Sequence, residues 1–218
     1  MNFINIHTHH SSSLANVTSI YNNRVGQEPE MMDSFFSIGI HPWDINTVDE
    51  QTAFEIIKKN ILNKNCLAIG ECGLDKIKDT DFKGQQHLFE MQLQIAKEFR
   101  KPVIIHCVKA FDELLEITKP FISHIPLIIH GFHKSEQLAN DLLAKGFYLS
   151  FNKLVLQDTN FNFNALPINQ LFLETDDHAN VSLELIYTTL AFKLNLPLEH
   201  LKEEINRNFE TVFYGTKR

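Results

Sequence analysis

Cysteine is scarce in this chain: Cys66, Cys72 and Cys107 make an odd set of three with no CxxC spacing. That excludes a disulfide scaffold and a zinc ribbon, and the thiols read as core residues. Glycine and proline are also few, 8 and 7 among 218 residues, which leaves no low-complexity linker or disordered block. Apolar runs such as Val103-Ile104-Ile105 and Leu127-Ile128-Ile129 fall far short of a membrane span. The N-terminus carries His7 and His9 where a signal peptide would carry an apolar stretch, so a cytoplasmic protein with no membrane partner is expected. Clusters of Lys and Arg are missing too, and the net charge is −7. Extended duplex binding, which depends on neutralising many phosphates, is therefore disfavoured. A strand end or small phosphoester stays open, because a local metal site can hold it without a basic surface.

What is present is an ordinary globular composition, 44% hydrophobic and 22% charged, at a length near the lower limit of a complete α/β barrel. One domain, 1–218, is expected, and a monomer. Short apolar runs alternate with longer amphipathic stretches, the pattern of βα units and a parallel sheet. Seven strands are predicted at Phe3–His7, Phe35–Ile40, Cys66–Gly70, Val103–His106, Leu127–His130, Phe147–Phe151 and Leu171–Glu174. Helical periodicity covers Val48–Leu62, Phe82–Phe99, Phe111–Ile122, Ser135–Lys145 and Ser182–Leu194, with a terminal helix near Leu198–Phe209. Val17–Tyr21 is the candidate eighth strand. Only about seven residues separate it from His9, too few for the usual helical crossover of a dozen or more. The expected fold is a TIM-type (β/α) barrel, abridged or distorted at its first βα unit, with irregular loops at Ser11–Ser13 and Asn22–Met32.

The polar residues fall in a pattern. Strand after strand is followed at its carboxyl end by a metal-competent side chain: His7 and His9, His41, Glu71, His106, His130, and Glu174 with Asp176. In a parallel barrel those ends open on one face, where active sites of such barrels lie. His7 and His9 are two apart, so strand alternation points both rings to one side, as chelation requires. One histidine ending a strand reads as a packing residue; five in register with carboxylates read as a metal site. Neutral imidazoles suit zinc, manganese, iron or nickel, and carboxylates also suit magnesium, so a divalent ion is implied without fixing which.

Read in order, six motifs resemble the TatD-type family of metal-dependent deoxyribonucleases, within the amidohydrolase-like barrels. They are Asn5-Ile6-His7-Thr8-His9, Gly39-Ile40-His41-Pro42, Ile69 to Asp75, Pro102 to Cys107, His130-Gly131-Phe132 and Glu174-Thr175-Asp176. The resemblance implies two adjacent divalent ions (magnesium, manganese or zinc), one bound by His7, His9 and Asp176, another by His106 and His130, with Glu71 bridging. It implies phosphodiester hydrolysis at DNA or RNA ends by a metal-activated water, Asp176 acting as general base and Glu71 as its catalytic companion. His41 and Lys109 then read as substrate-phosphate contacts, and Trp43 as a platform for a base or a packed loop anchor.

Departures accompany the match. The family usually has Asp where Asn5 stands, an Arg with an acidic partner where Val108 and Lys109 stand, and a longer Arg-bearing loop where Asp177 to Asn180 lead almost directly into a helix. Lys109 restores a charge but not the planar fork of Arg. Two other functions therefore remain open: the same metal site acting on a small phosphoester, ester or amide, and a metal-binding protein without turnover. His133 and Lys134 read equally as a phosphate contact or a solvated loop. His10 faces away from His9, His178 has no assigned role, and His87, His124 and His200 lie away from strand ends. The 18 phenylalanines read as core.

Overall fold

The structure, a computed structural model, describes residues 1–10, 15–27, 33–47, 49–158 and 160–215. It divides into two compact units, Tyr21–Ile129 and Met1–Ile20 with His130–Arg218. The expected loop at Ser11–Ser13 lies outside the described residues.

In the unit Tyr21–Ile129 the strands β2 (Val17–Arg24, from Tyr21 onward), β3 (Phe36–Gly39), β4 (Cys66–Asp75), β5 (Val103–Val108) and β6 (Leu127–Ile129) pair in parallel, each with the next. Helices α1 (Glu50–Asn60), α2 (Phe82–Phe99) and α3 (Phe111–Thr118) fill three of the crossovers. Asp49 starts α1 by accepting a hydrogen bond from the Thr52 amide, and Lys58 and Lys59 sit at its negative end. Asp81 starts α2, and Arg100, left-handed at φ 53, ends it by donating its amide to the Ala96 and Lys97 carbonyls. Between β2 and β3 no helix occurs among the described residues.

Helix α2 does more than cover the sheet. Gln85 and Gln92, two turns apart and buried on its inner face, each bond a backbone amide and carbonyl at a strand end. Gln92 accepts from the Ile40 amide at 2.7 Å and donates to the Ile40 carbonyl at 3.2 Å. Gln85 does the same for Asp75, at 2.7 and 3.0 Å. The carboxyl ends of β3 and β4 are thereby fixed, and the residues that follow or occupy them are His41 and Asp75.

Strand β4 runs five residues beyond its predicted end at Gly70. Gly70 and Gly73 take φ 133 and 141 inside the strand, Gly70 where its register against β5 shifts. A Cβ on Gly73 would fall on the His106 carbonyl oxygen, so only glycine lets the two backbones pass here. Strand β2 likewise extends through Arg24, taking Asn22 to Arg24 out of the predicted loop.

In the other unit, β1 (Phe3–Thr8), β8 (Leu171–Leu173) and β7 (Tyr148–Phe151) are parallel. Register is set by the bridge Thr8–Asp176, where the His9 amide donates to the Asp176 carbonyl and the Asp176 amide to that of His7. Helices α4 (Glu136–Ala144), α5 (Leu183–Lys193) and α6 (Leu198–Phe213) pack around these strands. Tyr187 of α5, fully buried, accepts from the Ile4 amide and donates to the Ile4 carbonyl, satisfying β1 backbone groups. No helix among the described residues is long and apolar enough to cross a membrane.

Candidate metal centre

In the unit holding β1, His7 and His9 face Asp176. Each Nε2 lies 3.7 Å from Asp176 Oδ1. His7 is fully buried, while His9 and Asp176 retain about a quarter of their side-chain exposure, 27% and 21%. Ligands about 2.1 Å from one ion stand roughly 3.0–3.4 Å apart at octahedral to tetrahedral angles, so each histidine–aspartate separation is within a few tenths of an ångström of what a shared cation needs, and all three donor atoms lie within 4.8 Å of one another. The sequence folds this way because the Thr8–Asp176 bridge puts the aspartate opposite the His-x-His pair. Asp176 itself is left-handed, φ 57, a conformation aspartate tolerates better than most residues.

Asn5 supports the same corner. Its Oδ1 accepts from the Thr175 amide and its Nδ2 donates to Thr175 Oγ1, which lies 3.0 Å from Thr8 Oγ1. The amide here uses both of its ends, a pattern an ionised aspartate cannot match because it has no donor. The Asn5 departure is thus accommodated by a threonine pair.

His130 lies beside His7, ring centroids 4.4 Å apart. Its Nδ1 is 3.2 Å from Glu174 Oε1, which also accepts from the Gly131 amide at 2.8 Å. A proton shared on that side sets the tautomer and directs Nε2 as the metal-competent nitrogen, the role a carboxylate commonly plays behind a histidine ligand.

The unit with β4 carries its own donors. Glu71 Oε1 is 2.9 Å from His106 Nδ1 and 3.1 Å from His41 Nε2, and Glu71 Oε2 accepts from Asn22 Nδ2 at 3.1 Å. The Asn22 Oδ1 accepts in return from the Glu71 amide at 2.9 Å. His106 Nε2 meets Asp75 Oδ2 at 3.2 Å. Asp75 is buried, which opposes ionisation, yet hydrogen bonds from His106, Trp43 and the Ile77 amide hold its carboxyl far below the usual range.

His41 is buried and holds Glu71. Burial lowers its pKa, outweighing the Glu71 hydrogen bond that raises it. Its Nδ1 accepts from the Trp43 amide, so Nε2 carries the proton and donates to Glu71. Trp43, 43% exposed, is anchored through Nε1 to Asp75 at 2.8 Å, and Lys78 Nζ stands 4.7 Å from its ring. Lys109 is exposed on a left-handed turn between β5 and α3.

Among the residues that remained ambiguous, His10 Nε2 bonds the Asp177 carbonyl, and His178 pairs with the Asp177 side chain at 2.7 Å. Asn22 and Asp75 went unassigned in the sequence reading. Asp75 closes the Ile69 to Asp75 motif, which was a signal; Asn22, in a segment read as loop, gave none.

Parallel strands whose carboxyl ends carry histidine and carboxylate donors define an α/β protein of the metal-site class. Comparison with known proteins narrows the class. The family model described as TatD related DNase matches residues 15–214, and the chain belongs to that family. The 3′-5′ ssDNA/RNA exonuclease TatD of Cronobacter sakazakii is 32% identical over 145 residues, 63% of this chain and 55% of that protein. An uncharacterized metal-dependent hydrolase of Methanocaldococcus jannaschii is 24% identical over 188 residues, 80% of this chain and 73% of that protein. The chain thus spans little more than half the length of the curated exonuclease it matches. Among solved structures, a TatD homologue from Escherichia coli superimposes with TM-score 0.81 at 20% identity, covering 97% of this chain and 98% of that one. A TatD-family hydrolase from Entamoeba histolytica gives 0.79 at 14% identity, covering 99% of each. At such identities the likeness shows the fold: the TIM-type α/β barrel expected from the strand pattern.

Proposed function

We propose that this chain is a divalent-metal-dependent phosphodiesterase acting on the ends of single-stranded nucleic acid, its residues 1–218 serving as one catalytic domain and a monomer. The observation that carries the reading is the cage of His7, His9 and Asp176, with two Nε2 atoms 3.7 Å from one carboxylate oxygen. Membership in the TatD-related family supports assigning one ion to that cage and a second to His106 and His130, with Glu71 shared by both. Bound divalent ions supply an activated water and neutralise charge on the phosphate.

The chain's own groups do the rest. Asp176 Oδ atoms, partly exposed, are positioned to take the proton of the attacking water. Glu71 is held in one orientation by Asn22 and His41, so its carboxylate needs little reorganisation when it acts. Asp75, behind His106, accepts the hydrogen bond of Nε2–H and leaves Nδ1 to face the same space as Glu71. Glu174 does the same for His130. Lys109 and the exposed face of Trp43 meet substrate, the first at phosphate and the second at a base.

A second reading, the same site acting on a small phosphoester, is favoured by the short run from Asp176 to the Ser182 cap of α5, which leaves little wall on that side. The two part in one assay: hydrolysis of end-labelled single-stranded DNA and RNA beside bis(p-nitrophenyl) phosphate, with magnesium, manganese or zinc. Progressive shortening from an end, lost in His7→Ala and Glu71→Ala, is expected. Turnover of the small diester alone selects the second reading, and turnover of neither with metal bound rejects both.

A further inference from the structure

Four phenylalanines assigned to the core surround a cavity of about 240 Å³ open at the surface, in the unit that holds β1, β7 and β8. Phe132 and Phe151 are 2% exposed and form its back wall, their rings 5.8 Å apart edge to face. Phe161 and Phe163 form a side wall, rings 4.7 Å apart, with Phe161 half-buried. The rim is cationic. Lys134 Nζ lies 3.2 Å from His133 Nε2, and His133 Nδ1 lies 2.9 Å from the Gly131 carbonyl. The His133 proton therefore sits on Nδ1, its Nε2 accepts from Lys134, and the ammonium keeps two further donors. Lys193 Nζ stands 5.5 Å from the Phe163 ring. Lys134 lines the cavity, and Lys193, whose Nζ donates to the Gln157 carbonyl at 2.7 Å, flanks it.

Its place in the fold matters. Phe151 is the last residue of β7, and Phe132 follows His130 by two. Strands β7, β8 and β1 are parallel, so Phe151 ends on the same edge as Asp176 and His9. At about 4.8 Å per strand, the end of β7 lies roughly 10 Å from that of β1, within reach of a neighbouring nucleotide. The cavity is smaller than the 300–1,000 Å³ or so usual for drug-sized ligands, which suits one ring system better than a whole nucleotide. Aromatic walls take any base through its π-face, and a cationic rim complements the phosphates that flank it.

We infer that this cavity is a subsite for one nucleobase of the nucleic-acid substrate, with Phe161 stacking on the base and Lys134 contacting an adjacent phosphate. The inference rests on the nuclease reading, deepening it by a substrate contact remote from the metal donors. The test is an abasic scan: nuclease-resistant phosphorothioate octamers, each lacking the base at one successive position, are bound to the manganese-loaded protein and followed by fluorescence anisotropy. One position is expected to weaken binding by about tenfold in the wild type, the usual scale of one stacked base. Phe161→Ala should bind all octamers equally weakly, Phe161→Tyr should restore the discrimination, and Lys134→Ala should weaken the intact octamer and flatten its salt dependence. A wild type indifferent to every missing base overturns the inference, as does a Phe161→Ala protein that folds and still discriminates. Cleavage of unmodified octamers is scored separately. If none is cut under any ion the nuclease reading fails, while the binding scan still decides whether the cavity takes a base.

Discussion

At the scale of single residues, the histidines and acidic groups placed at strand ends do different jobs according to what stands behind them. His130 has a carboxylate at Nδ1, Glu174, and His106 has one at each ring nitrogen, Asp75 at Nε2 and Glu71 at Nδ1. His41 has a backbone amide at one nitrogen and Glu71 at the other, which makes it a support for Glu71. Asp75→Asn removes the charge that faces His106 while preserving shape and most hydrogen bonds. Manganese affinity is expected to fall by about 10- to 100-fold, the usual effect of losing a carboxylate behind a ligand. Isothermal titration reads this directly, and an unchanged affinity would show that Asp75 does not orient His106. The donors were legible because each terminates an apolar run and strand alternation fixes its direction. Their supports were not. A lone Asn22 or Asp75 signals nothing until its strand is paired with the one that carries its partner.

At the scale of elements, the two glutamines of α2 are the clearest link between packing and site. Each occupies a position on the apolar face where helical periodicity calls for a hydrophobe, and each bonds both backbone groups of a strand-end residue. Gln92→Leu fits the space but strands the Ile40 amide and carbonyl in the interior. Each unpaired buried group costs about 1–3 kcal/mol, so urea unfolding is expected to shift its midpoint downward by an amount of that order with little change in slope. Turnover should fall further than stability explains, since Ile40 precedes His41, which holds Glu71. Existence of the elements was legible from alternating apolar runs. Their ends were less so: Gly70 lies in the register shift of β4 and Gly73 continues the strand beyond it, and Asn22 to Arg24 join β2 against ordinary strand preference because β3 supplies a parallel partner from Ser37 to Gly39.

For the molecule as a whole, the cysteines and the ions each give a reading of integrity. Burial pushes the Cys66 thiol up to about 11 and that of Cys72 higher still, and all three cysteines are buried. A thiol reagent at pH 8 is therefore expected to leave the native protein untouched and to find three equivalents in guanidinium. The class of fold was legible because seven short runs share one grammar, an apolar strand followed by a metal-competent or polar end. What a linear reading lacks is whether donors from distant strands act together. Thermodynamic coupling supplies it. Any ligand that binds only the folded state raises its stability, by about 2.7 kcal/mol at a hundredfold excess over Kd. His7→Ala removes a donor from one compact unit and Glu71→Ala from the other. If the two clusters serve one pair of ions, as proposed above, either change should abolish most of the manganese-dependent rise in unfolding midpoint, and the double variant should lose scarcely more. Independent sites would instead give losses that add, the behaviour expected of distant residues with no shared partner. Calorimetry of the four proteins with and without manganese distinguishes these outcomes, and additive losses would assign the unit of His7 and the unit of Glu71 to separate ions.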